Sequence, residues 1–60
     1  MNRRQLLNEL MWRYSFEKAH SIIQIATEDR EFEDENVHIV MTRTIDRDIY
    51  HYEWKDNWKN

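Results

Sequence analysis

Three histidines (His20, His38 and His51), an acidic run from Glu28 to Glu35, and two serines (Ser15 and Ser21) carry the side chains of this 60-residue chain suited to ligating a metal or attacking a bond. Cysteine is absent, so a thiolate zinc site and a disulfide are both excluded. Zinc would need histidine and carboxylate ligands. The strands inferred below put His38 several residue pairs from His51, at a rise of ~3.3 Å per residue, so the histidines are expected to stand apart and no metal ligand is expected. The acidic run alternates somewhat as calcium ligands do, but an EF-hand loop needs a glycine at its sharp turn. Glycine is absent, which also removes any glycine-rich phosphate loop. Neither serine sits in a recognisable motif, and a chain this short has little volume for a cleft in addition to a core. No catalytic residue and no cofactor is expected, and the chain is read as a non-enzyme.

Contact chemistry is better represented. Arg43 and Arg47 fall on or near a β-hairpin, and such a ribbon can enter a nucleic-acid groove while aromatics stack on bases. They are the candidate nucleic-acid contacts. Against them stand a net charge of −3 and a pI of about 5.5, whereas phosphate binding leaves a basic footprint. Tyr50, Tyr52 and Trp54 alternate with polar residues, which points to core packing, with Arg43 stacked over Tyr52. Residues 28–35 hold six acids and one arginine, a local charge of −5, so the remainder sums to +2. Glu31, Glu33, Asp34 and Glu35 are therefore candidate contacts for a basic protein partner. The plainer expectation is a solvated connector with Phe32 tucked against the core. Trp58, four residues after Trp54, is a further candidate contact because tryptophan is enriched at energetic hot spots.

These residues must be positioned by a small number of elements. Residues 3 to 29 read as one helix built from good helix formers, capped by Asn2 or a neighbour and ending near Glu28 to Arg30, where acids oppose the dipole. At 100° per residue, Leu7, Leu10, Met11, Tyr14, Ile22 and Ile25 share one side and Trp12, Phe16, Ala19, Ile23 and Ala26 an adjoining one. Apolar residues cover more than half the circumference, more than one partner surface can bury. An acidic connector is predicted over 30–36, followed by strands over 37–45 and 49–55, where the period changes to two. Pairing Ile45 with Tyr50, and hence Met41 with Trp54 and Val37 with Trp58, collects the large apolar side chains on one face. His38 and His51 fall on the other. The fold class is α+β, one long amphipathic helix followed by an antiparallel hairpin, in a single domain spanning 1–60.

A chain of this length buries only ~60% of its unfolded surface. Self-association is the ordinary compensation left to a chain without cysteine, and a homodimer is expected to complete the core. No apolar run approaches the ~20 residues of a membrane span, and Glu9 interrupts the N-terminal apolar stretch, unlike a secretory signal. A cytoplasmic protein with no membrane partner is expected. Its expected role is protein–protein interaction as a homo-oligomer, regulating or inhibiting a larger partner, with nucleic-acid binding through the hairpin as the alternative.

Overall fold

The apolar surface expected along one helix is divided between two. The computed structural model describes residues 1–55, which form α1 (Arg3–Leu10), α2 (Phe16–Asp29), β1 (Glu31–Glu33), β2 (Val37–Arg43) and β3 (Asp48–Trp54). The expected single helix is thus corrected to a helical hairpin. A helix of 27 residues would be ~40 Å long, whereas seven-residue strands span only ~23 Å. One straight helix would leave nearly half its apolar side beyond the sheet.

Local chemistry makes the break. Ser15 has an extended backbone and its Oγ accepts the Lys18 N–H at 3.1 Å, which caps α2, and Glu17 in the first turn faces the positive end of the helix dipole. Asn2 caps α1 reciprocally, its Oδ1 accepting from Gln5 N at 2.8 Å while Gln5 Oε1 accepts from Asn2 N at 2.9 Å. The helices lie antiparallel, since Arg3 near the start of α1 reaches Thr27 near the end of α2 at 3.2 Å. Helix α1 packs on β3, and α2 on β1 and β2.

Helix α2 ends at Asp29, and Arg30 turns the chain with φ 64° and ψ 11°. With no glycine available, an arginine takes this left-handed position at a cost of roughly 1–2 kcal/mol. The turn feeds β1 directly. Part of the expected connector is therefore a strand, with Phe32 opposite Ile39 and Glu33 opposite His38. Phe32 packs against the core as expected.

The sheet runs β1-β2-β3, antiparallel throughout. Tyr50 pairs with Met41, Tyr52 with Ile39 and Trp54 with Val37, four residues away from the expected register. Thr44 closes the loop early, its N–H donating to Arg47 O at 2.8 Å and its Oγ1 accepting from Arg47 N at 3.1 Å. An even shift leaves each side chain on its own face. Val37, Ile39, Met41 and Tyr50 are accordingly buried, but Ile45 moves to the exposed tip.

Leu6 and Leu10 from α1, with Ala19, Ile22, Ile23 and Ala26 from α2, cover those strand residues, and no polar residue among those described is buried. The Tyr50 hydroxyl meets Thr27 Oγ1 at 2.7 Å, and Thr27 donates its own proton to Ile23 O at 2.7 Å, so Tyr50 is the donor between them. One chain closes this core. Of the apolar helix surface, Met11, Trp12, Phe16 and Ile25 remain exposed.

Candidate functional site

The acidic residues of the expected connector have separate fates. Asp34 organises the β1–β2 turn, its Oδ1 accepting from Asn36 N at 2.7 Å and Val37 N at 2.9 Å. Its Oδ2 accepts the Tyr14 hydroxyl at 2.8 Å. Burial pushes the Asp34 carboxyl up, but those hydrogen bonds and the charge of Lys18 outweigh it and hold the group below the usual carboxylate range. Burial and then Asp34 raise the Tyr14 hydroxyl in turn. Glu33 pairs with Lys55, whose hydrogen bond and charge hold its carboxyl low. Glu31 Oε2 meets His38 Nε2 at 2.6 Å. Glu31, Glu33 and Glu35 are exposed and Asp34 is half-buried, while Trp58 lies outside the described residues.

The arginines of the hairpin tip are also engaged. Arg43 Nε donates to Asp48 Oδ1 at 2.9 Å, with a longer contact of 3.4 Å from Nη2 to Oδ2. That partnership lowers the Asp48 carboxyl and raises the Arg43 guanidinium. Arg47 Nε stands 3.9 Å from Asp46 Oδ1. The stacking expected of Arg43 on Tyr52 is made elsewhere, by Arg13, whose guanidinium lies 4.3 Å from the centroid of the Trp54 ring. One cleft borders the tip, lined by Met1, Asn2, Gln5, Arg47, Asp48 and Ile49. It brings together no nucleophile and base, and its one carboxylate is the partner of Arg43.

The connection between the helices is different in kind. Met11 is 45% exposed, Trp12 81% and Phe16 51%, a run of large apolar side chains at the corner where α1 gives way to α2. The corner is held from below by aromatic and polar contacts to the sheet. Tyr14 stacks on Trp54 with centroids 6.3 Å apart, and the Tyr52 hydroxyl donates to Glu9 Oε1 at 2.8 Å. The His20 ring packs against Phe16 at 4.5 Å. Periodicity places Trp12 and Phe16 on the same apolar helix side as the buried Ala19, Ile23 and Ala26. The signal that would have exposed them is Ser15, followed by Glu17 in a first turn, read as a cap rather than as a helix-interior residue.

The face of the sheet turned away from the helices carries Glu31, Glu33, His38, Val40, Thr42, His51 and Glu53. The observed register puts Glu53 opposite His38 and His51 opposite Val40, so His38 and His51 are diagonal neighbours, closer than expected. The ligating atoms of Glu31, Glu33 and His38 all lie within 4.8 Å of one another. Among the described residues, no helix is long and apolar enough to cross a membrane. No family model, curated protein or solved structure matches this chain.

Proposed function

We propose that this chain is a non-enzymatic protein-interaction module that docks through the Met11–Trp12–Phe16 corner, with a second copy of itself as first partner. The exposure of Trp12 carries this reading: tryptophan has the most to gain from leaving water and is the residue type most enriched at binding hot spots. The corner is also preorganised, since Tyr14 and Arg13 tie it to Trp54, and a contact surface already held in place loses less entropy on binding.

Two tryptophans and two phenylalanines, burying roughly 150–250 Å² each at most, with two half-exposed Met11 side chains beside them, reach no further than the lower end of the ~1,200–2,000 Å² of a standard stable interface. Association is accordingly expected to be reversible and roughly micromolar. Regulation or inhibition of a larger partner would use the same corner, in exchange for the second copy. Nucleic-acid binding has less support, because Arg43 and Arg47 both have carboxylate neighbours. Light scattering on a concentration series tests the proposal: a mass rising from monomer toward dimer supports self-association, and a constant monomer mass into the millimolar range removes it.

A further inference from the structure

We propose that Glu31, Glu33 and His38 form a binding site for one divalent transition-metal ion of the zinc class on the open face of the sheet. The site is built by strand pairing. Glu33 and His38 are direct cross-strand partners in β1 and β2, and Glu31 is two residues from Glu33, so all three project from one face. Their ligating atoms lie within 4.8 Å of one another, and Glu31 Oε2 is already 2.6 Å from His38 Nε2. Zinc–ligand distances of roughly 2.0–2.2 Å for nitrogen and carboxylate oxygen require only that Glu33 move inward and Glu31 and His38 part slightly.

The donor set selects the ion. One imidazole and two carboxylates suit zinc and its neighbours, whereas magnesium and calcium favour oxygen ligands alone. Three protein ligands leave a fourth position of a tetrahedral ion for water. Metal binding needs the lone pair of His38 Nε2, so any proton it shares with Glu31 leaves, and it also frees Lys55 from Glu33. Lys55 is thus a built-in competitor, a cation already held by one of the proposed ligands. The histidines do not need to share the ion, which is why their separation in sequence hid the site: two of its ligands come from a stretch expected to be an unstructured connector.

Isothermal titration of the full chain with zinc chloride at about pH 7 tests the site. One ion per chain is expected, with binding weakened at least ~10-fold in His38→Ala, which removes the imidazole, and in Glu31→Gln, which replaces a charged carboxylate ligand with a neutral amide. His51→Ala and His20→Ala should keep the wild-type affinity, and Lys55→Met should tighten it. These positions are on the surface or only half-buried, and circular dichroism confirms that each variant is folded. Absence of saturable binding overturns the site, as does undiminished affinity in His38→Ala. Magnesium binding more tightly than zinc would contradict the nitrogen donor.

Discussion

The two exposed ends of this molecule, the helical corner at residues 11–15 and the hairpin tip at residues 44–47, are built on opposite plans. The tip is held by contacts within a few residues: Thr44 to Arg47, Arg43 to Asp48, Arg47 to Asp46. Its charges are neutralised mainly by near neighbours in sequence. The corner is held at long range, by Tyr14 to Asp34, Arg13 and Tyr14 to Trp54, and Glu9 to Tyr52. Those anchors fix its backbone while leaving Trp12 and Phe16 in solvent. The tip exposes Ile45 among polar groups that are satisfied locally, whereas the corner exposes Met11, Trp12 and Phe16 together.

The comparison breaks first if the corner is not anchored through a shared core. Ile23→Asp places an unpaired charge where the α2 residue Ile23 is fully buried in the core shared by the helices and the sheet, and it is expected to unfold the chain, since such a charge costs more than a domain this small has in reserve. A cooperative, wild-type-like melt in that variant would remove the packing account altogether. Asp34→Ala comes next, with a loss of about 2 kcal/mol in urea unfolding, because two backbone donors and the Tyr14 hydroxyl lose their acceptor together. A loss no greater than that from Ser15→Ala, about 1 kcal/mol for a helix cap, would mean the Tyr14–Asp34 anchor is not important to the corner.

The same anchor has a pH signature. The Asp34 carboxyl is held below its ordinary value, so its contribution is complete above about pH 4, the unfolded value, and is lost as pH falls through the lower folded one. The raised Tyr14 hydroxyl acts with the opposite sign: its contribution is present below about pH 10 and is lost as pH rises through the higher folded value. Urea midpoints measured across both ranges should fall at both ends in the wild type, with a shallower acid limb in Asp34→Ala. An unchanged acid limb in that variant would assign the loss to other carboxylates.

Two smaller effects sharpen the contrast. Arg30→Gly should stabilise by roughly 0.5–1 kcal/mol, since glycine reaches φ 64° without strain. Arg43→Ala at the tip should leave the melting temperature unchanged, because its ion pair with Asp48 is exposed and screened.

Much of this fold is legible in the residues. The alternation of Val37, Ile39 and Met41 with Tyr50, Tyr52 and Trp54 identifies the hairpin and its buried face. The end of α2 follows from the charges of Glu28 to Asp29. Maximising apolar pairs draws Ile45 into the sheet and so misplaces the register, whereas the Thr44 side chain closes the loop on Arg47 two residues sooner. Periodicity of 3.6 residues runs through Ser15 without interruption and hides the break in the helix, which shows only when Ser15 and Glu17 are read as a cap and first turn and the helix and strand lengths are compared. Glu31-Phe32-Glu33 already alternates as a strand does, but its charge made it read as connector. Of the candidate contacts, Arg43, Arg47, Glu31, Glu33 and Asp34 all have partners within the fold, and the corner now proposed consists of residues that periodicity places on the apolar sides of one helix.

Sedimentation equilibrium on the wild type, Trp12→Ser and the Arg43→Ala/Arg47→Ala pair tests the contrast between the ends most directly. The account predicts a reversible dimer for the wild type and the arginine variant and a monomer for Trp12→Ser, all three with the same circular dichroism spectrum. A wild type that stays monomeric, or a dimer that survives Trp12→Ser and is lost with the arginines, would contradict it.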